Sequence, residues 1–446
     1  MIGLVLCVLA AASVYWAGRR TAGLGLVVVL VWGYFFGILR ANLFNTFTYF
    51  VFDSAVLGFY LSQTGLFRGG NRTSAVRAWF WALALWPVVM VLMPFQPFLI
   101  SLVGLRGAVL FLPMMLVGSR LRLSDLRLLT LGFAALNLVA LAFAFAEFVL
   151  GVPRFFPNNA ATYLIYQSTD VAGGFFRIPA TFGNAHLYGG TMAASVPFLI
   201  SGWEYATTRR SRLLMLIGVA AALLGVLFSA TRSNFVICAG LIAMTVFYGK
   251  MAARRRAMVV VLILIMLAVA ARNVRFQRFK SLSDTDYVQE RISGSVNRGF
   301  FEILLEYPMG NGLGGGGTSI PYFLASQVRN PIGLESEYAL ILCEQGIIGL
   351  GLWAGFIFWF LCRFKKVFAQ GPWSTGRRLI WCLSVFALGS GLLGMGLLTA
   401  VPHTAILLLG IGFVGAPMAV ESADRQKVAL AHATLAQRSF RPAPTF

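Results

Sequence analysis

Long apolar runs broken by short polar punctuation dominate this chain. Stretches such as GLGLVVVLVWGYFFGIL and AMVVVLILIMLAVAA are long enough to cross a bilayer core of about 30 Å as helices. Taking the runs at residues 2–18, 21–39, 47–66, 77–94, 97–118, 127–150, 186–202, 211–230, 233–248, 257–271, 338–361, 379–396 and 399–419 predicts about thirteen spans. The expected fold is an all-α, polytopic membrane helix bundle of 12–13 spans, roughly, on the bilayer-length rule. No soluble core could bury so many wholly apolar helices in 446 residues. The first run, from Ile2 to Ala17, lacks a basic leader and a small-residue cleavage site, so it reads as a retained span.

The punctuation carries orientation. Arg19 and Arg20, then Arg68, Arg72 and Arg77, then Arg120, Arg122 and Arg127, then Arg209, Arg210 and Arg212, then Lys250 with Arg254 to Arg256, then Arg363, Lys365, Lys366, Arg377 and Arg378 occupy every second connection. That alternation is the positive-inside pattern. It accounts for most of the net charge of +21, which is therefore topology and affinity for anionic lipid rather than a nucleic-acid footprint. Two long hydrophilic segments then fall on the outer face, residues 151–185 and 272–337, and loops of that length invite a functional reading. The chain divides into N-terminal membrane helices (1–150), a first outer loop with central membrane helices (151–271), a large, partly helical outer loop (272–337), C-terminal membrane helices (338–419) and an inner tail (420–446).

At 59% hydrophobic and 11% charged residues, a charge inside a span stands out. Asp53, Glu147, Glu344 and Arg106 each need a cavity or a partner, because an ionisable group in hydrocarbon is costly. All four fall in the outer half or near the midplane, so an implied cavity opens outward; internal ion pairing would explain Asp53 and Glu147 equally well. The five cysteines lie in or beside apolar runs with no CxxC pair and no metal-ligand spacing to the three histidines, so neither a metal nor another cofactor is expected.

The outer segments hold the candidate chemistry. In FRIPATFGNAHLYGG, Arg177 precedes the turn Thr181-Phe182-Gly183-Asn184, which opens a helix whose free N–H groups suit an anion; a plain turn and cap is the simpler alternative. Arg232, in ATRSN, sits in a very short outer connection, where it either binds an anion or anchors at the interface. From Asp284 to Glu306 the apolar positions Val288, Ile292, Val296, Phe300, Phe301 and Leu304 predict a surface helix stopped by Pro308. Arg291 and Arg298 share one of its faces, and Arg298 also has Glu302 at i+4. The run from Gly310 to Gly317 suits a loop packed over a membrane groove. Glu335, Glu337 and Glu344 then gather at the start of the next span, in a chain with only 15 carboxylates; helix capping would explain one of the first two.

The ordered set RIPATFGN, ATRSN, a helix running into YPMGNGLG, and ESEYALILCEQGIIGL resembles the superfamily of O-antigen ligases and Wzy-type O-antigen polymerases. Their usual pattern is R-x-x-G-T-F-x-N, T-x-S-R, a helix with P-x-x-G-x-G, and H-N-x-Y-L-x-x-L-x-E-x-G-x-x-G. The likeness covers Arg177 to Leu350; the other spans match only in hydropathy. It implies a GT-C-like glycosyltransferase of the bacterial inner membrane, working without metal on the periplasmic side. Its substrates would be a glycan on undecaprenyl diphosphate and a glycan or lipid acceptor, and other envelope polysaccharide assembly proteins would be its partners. By the same resemblance Arg177, Arg232 and Arg298 would hold the diphosphate, with Arg291 competing for the place of Arg298; Arg106, a mid-depth charge outside the likeness, is a further candidate. Asn184, Ser336, Tyr338 and Glu344 would be supporting positions.

One departure matters. Glu335 stands where the family has histidine, and Ser336 where it has asparagine. A carboxylate can remove a proton from an acceptor hydroxyl, so Glu335 and Glu337 are the candidate bases, and His403 in AVPHTAIL could supply an imidazole from elsewhere. The missing histidine favours polymerase over ligase. A transporter or flippase of lipid-linked glycan is the alternative of another class, and it calls for internal repeats and broken helices; no repeat is evident.

Overall fold

The computed structural model describes residues 1–68, 73–167, 176–248, 261, 300–317, 320–334, 336–369, 373–394 and 396–417. Within them every regular element is helical: α1 Ile2–Arg20, α2 Ala22–Asn42, α3 Val51–Ser62, α4 Ser74–Val91, α5 Phe98–Val109, α6 Pro113–Gly118, α7 Leu123–Leu150, α8 Tyr163–Tyr166, α9 Ala185–Tyr205, α10 Arg209–Ser229, α11 Arg232–Tyr248, α12 Phe300–Glu306, α13 Glu337–Leu361, α14 Phe364–Phe368, α15 Ser374–Ser390 and α16 His403–Gly415.

By length and composition, 7 segments among the described residues can cross a membrane: α1, α2, α4, α5 with α6, α7, α10, and α13 with α14. The chain is a multi-pass membrane protein. This is fewer than the thirteen or so apolar runs, and the differences have physical causes. Run 47–66 begins with a 3-10 turn at Thr46–Phe50, which shortens α3 to 12 residues. Run 97–118 is kept among the 7 although it is interrupted before Pro113, where a helix must lose a hydrogen bond. Run 186–202 yields α9, 21 residues long but rich in Gly, Ser and Thr and not among the 7. Runs 233–248, 379–396 and 399–419 yield α11, α15 and α16 of 17, 17 and 13 residues. Run 257–271 lies outside the described residues, except for helical Val261.

The centre of the bundle is α16 with α9. Thr404 to Gly415 are all buried, as are Tyr188 to Ser201, which is what a helix surrounded by other helices requires. Around them pack α4, α6 and α15 on one side and α7, α10 and α11 on the other, while α1, α2 and α3 form a flanking group joined through α7. At the α6–α16 crossing a β-carbon on Gly118 or Gly412 would collide with the backbone of Leu409 or Met115, so the two helices meet backbone to backbone, as small residues permit in membranes. A polar chain ties the centre together. Tyr34 Oη donates to Asn137 Oδ1 at 2.8 Å, and Asn137 Nδ2 donates to Ser195 Oγ at 2.8 Å.

Among the described residues the arginine-rich connections share one end. There Arg120 donates to the carbonyl of Gly65 at 2.8 Å, and Arg377 donates to those of Val414 and Ala416 at 3.0 and 3.1 Å. At the opposite end, residues 43–50, 92–97, 151–167, 176–184, 307–317, 320–334, 391–394 and 396–402 fold over the bundle. Gln96 fastens two of these segments by donating to the carbonyls of Asn311 and Arg329 and accepting from Arg329 N.

Helix α13 is broken. Gly346 sits at φ 67° and ψ −169°, a conformation open to glycine and almost no other residue. The groups freed by the break are taken up by the glycine-bearing loop and by α4: Asn311 N donates to Cys343 O at 2.6 Å, Ile347 N to Pro308 O at 3.0 Å, and Trp86 Nε1 to Gln345 O at 2.8 Å. Irregular backbone at membrane depth is tolerated only when protein covers it. Residues 308–317 provide the cover, with Gly314 lying against Gly104 of α5.

Candidate functional site

The turn after Arg177 is built into the bundle rather than laid over it. Thr181 O accepts from Ile38 N of α2 at 2.9 Å, and the backbone of Phe182 lies on Gly37. The Phe182 ring is wedged between Tyr34 and Tyr188, at 5.0 and 5.5 Å. Ala180 adopts φ 51°, an unfavourable left-handed conformation for a residue with a β-carbon. It is held there by its own N–H, which donates to Glu147 Oε2 at 2.9 Å. Glu147, 1% exposed at the outer end of α7, thus meets a backbone donor rather than a cation. Asn184 caps α9, its side chain accepting from Leu187 N at 2.9 Å.

This turn delivers Arg177 to the start of α9. Its Nη1 lies 3.4 Å from Nε2 of exposed His186, and its buried Nε has no hydrogen-bond partner among the described residues. The α10–α11 connection arrives from the side. Asn234 Nδ2 donates to His186 O at 3.3 Å and to Thr231 Oγ1 at 3.0 Å, and the Thr231 and Ser229 hydroxyls share a bond of 2.8 Å. Half-buried Arg232 opens α11 between them. From the centre comes His403, the first residue of α16. Its ring lies 3.6 Å, and the Asn234 amide 3.8 Å, from where a β-carbon on Gly190 would stand. Arg177, Asn184 and His403 therefore converge on the first turns of α9, and Arg232, which starts α11, lies in the chain between Thr231 and Asn234. The group combines guanidinium charge, two imidazoles and hydroxyl donors, a set suited to holding an anion and moving a proton.

The acidic lip is different. Glu335, Arg291 and Arg298 lie outside the described residues. Glu337, read as a candidate base, is 1% exposed and both its oxygens are engaged. Oε2 accepts from Gly396 N and Leu397 N at 2.7 and 3.1 Å, and Oε1 accepts from Leu398 N at 3.3 Å. It clamps the segment that leads into His403. Its neighbours act alike: Ser336 Oγ donates to Gly391 O at 3.2 Å and Tyr338 Oη to Leu388 O at 2.6 Å. Glu344, a charge in a span that calls for a cavity or a partner, faces the backbone of Gly316 and Gly314 at the α13 break.

Arg106 pairs with Asp53, its Nε donating to Oδ2 and its Nη2 to Oδ1, the latter at 2.9 Å. This is the internal pairing that sequence left open for Asp53. Two residues escaped sequence reasoning. His186 lies two positions past the cap Asn184, and Arg40 closes the α2 run on the face where arginine is scarce, which was a usable signal. Among the described residues no group of three His, Cys, Asp or Glu side chains could hold a metal ion. No protein-family model matches the chain, and no curated protein matches it either.

Proposed function

We propose that the protein is a periplasmic-face glycosyltransferase of the bacterial inner membrane, which polymerises oligosaccharide delivered on undecaprenyl diphosphate. The observation that carries this reading is the meeting of Arg177, His186, Asn234 and His403 at the start of α9, contributed by segments far apart in the chain. The motif resemblance from Arg177 to Leu350 supports it from the sequence side.

In this mechanism the acceptor hydroxyl oxygen attacks the anomeric carbon and the bond from that carbon to the diphosphate oxygen breaks. The diphosphate leaves as an anion, which needs no general acid; fixed guanidinium groups in a partly desolvated site stabilise it. Arg177 and Arg232 fill that role, joined by Arg298 or Arg291 on the resemblance. The hydroxyl proton passes to a base. Glu337 is engaged by three backbone N–H groups, so we assign the base to His403 or His186, with Glu335 as the carboxylate alternative. One displacement inverts the anomeric centre. A ligase would share every step and differ in its acceptor, lipid A core in place of a glycan.

The break in α13 at Gly346, beside Glu344, favours a second reading, a transporter or flippase of lipid-linked glycan, since discontinuous helices form the substrate sites of many transporters. Strains each lacking their own polymerase, ligase or flippase separate the three. Restored long chains in the first support the polymerase. Glycan rejoined to lipid A core in the second indicates the ligase, and glycan restored to the outer face in the third indicates the transporter.

A further inference from the structure

Buried oxygens without a partner gather around the left-handed turn at Ala180. Glu147 Oε2 accepts from Ala180 N, but Glu147 Oε1 has no hydrogen-bond partner among the described residues. The same holds for Thr181 Oγ1, in the next residue of the turn, and for Tyr188 Oη, on the first turn of α9. Glu147, Thr181 and Tyr188 are 1%, 1% and 0% exposed. Thr191 Oγ1, one turn further along α9, is unpartnered as well. A helical hydroxyl ordinarily donates back to its own helix, as Ser195 does to Met192 O and Ser201 to Pro197 O; Thr191 does not.

These groups are neighbours. Thr181 follows the residue that binds Glu147, and Phe182 of the same turn packs on the Tyr188 ring at 5.5 Å. Tyr188 lies close enough to Glu147 to feel its charge. Gly225 of α10 makes room for the phenol, since a β-carbon there would stand 2.7 Å from Tyr188 Oη.

Their chemistry selects the occupant. A carboxylate buried in apolar surroundings with one N–H contact and no cationic partner among the described residues is costly. Protonation would neutralise it, but would turn an unpaired acceptor into an unpaired donor and leave the hydroxyls as they are. A cation set between the oxygens satisfies them together. Each would lie about 2.4 Å from an ion of calcium's or sodium's size, so oxygens that share one can stand farther apart than hydrogen-bond partners. The donors are all oxygen, which selects a hard ion. One carboxylate balances one positive charge, whereas a divalent ion would leave net charge buried. Sodium, smaller than potassium, asks for fewer oxygens.

We propose that Glu147, Thr181 and Tyr188 form a binding site for a sodium ion, which fastens the turn that presents Arg177. Binding requires no transfer reaction, so it is read without turnover and stands apart from the proposed activity.

The test follows the melting midpoint of the purified full-length chain in a maltoside detergent, in sodium, potassium or choline chloride at equal ionic strength. Sodium is expected to raise the midpoint by several degrees over choline and to saturate, with a smaller shift in potassium. Glu147→Gln keeps an oxygen for Ala180 N and removes the charge, and should abolish the sodium shift. Thr181→Val and Tyr188→Phe leave the carboxylate in place and should each weaken the apparent sodium affinity about tenfold. Equal midpoints in sodium and choline overturn the site, as does a sodium shift unchanged in Glu147→Gln or in both hydroxyl variants. Equal shifts in sodium and potassium overturn sodium as the ion. A midpoint that follows pH without answering to sodium assigns the carboxylate to a proton and overturns the site too. A shift kept in Glu147→Gln and lost in Glu344→Gln places the ion at the α13 break instead.

Discussion

Glu147 holds Ala180 in a left-handed conformation across thirty-three positions of sequence, through one hydrogen bond of 2.9 Å from the alanine N–H to its carboxylate. Everything that presents Arg177 depends on that turn. Glycine adopts φ 51° without the β-carbon penalty, roughly 1 kcal/mol. Ala180→Gly should therefore leave the melting midpoint in detergent unchanged or raised. Glu147→Leu leaves a buried N–H unpaired and should lower it, by about 1–3 kcal/mol in stability, while Glu147→Gln, whose amide oxygen still accepts, should recover much of the loss. A midpoint in Glu147→Leu equal to wild type would remove the anchor from this account.

Glu337 makes the second prediction. Replacing it with glutamine substitutes an N–H donor for one of the acceptors facing Gly396, Leu397 and Leu398. Thermal unfolding of Glu337→Gln should shift downward by several degrees, in line with about 1–3 kcal/mol for a buried donor left unsatisfied. The fraction that folds should retain its turnover. A stable Glu337→Gln protein without activity would restore this residue as the base.

At the α13 break, a methyl group on Gly346 would lie 2.5 Å from the carbonyl carbon of Met309 and 2.7 Å from Pro308 O, at a φ that already strains any side chain. Gly346→Ala should detach the loop of residues 308–317. Limited proteolysis in that loop should become at least several-fold faster than in wild type, with Trp86→Phe giving a weaker form of the same effect through loss of its bond to Gln345 O.

These sites differ in how far sequence could reach them. The apolar runs located helices closely: run 21–39 corresponds to Ala22–Asn42 and run 211–230 to Arg209–Ser229. Hydropathy counts Pro113 as one more apolar residue, so the α5–α6 bend was invisible to it. The turn from Arg177 to the cap Asn184 was legible because its residues are close in sequence. Glu337 was not, because a base and a clamp look alike until the N–H groups of residues 396–398 are placed around it. His403 stood out as one of 3 histidines, yet only the packing of α16 beside α9 brings it to Arg177's neighbourhood. Arg106 and Asp53, both noticed as charges in apolar runs, needed the fold to become partners.

The imidazoles provide a further comparison. If His403 takes the acceptor proton, His403→Ala should reduce turnover by about 10²–10⁴-fold with little change in melting midpoint, and His186→Ala should reduce it less. Steady-state rates on purified variants, compared at equal folded concentration, check this. Activity lost from His186→Ala alone would move the base to His186.

The most direct measurement of the central claim is a reconstituted reaction. Purified protein in proteoliposomes is given undecaprenyl-diphosphate-linked oligosaccharide, and the products are separated by length and by what carries them. The account expects longer glycans still attached to the carrier, released undecaprenyl diphosphate in matching amount, and loss of both in Arg177→Gln. Unchanged oligosaccharide, with wild type and Arg177→Gln alike, would contradict it.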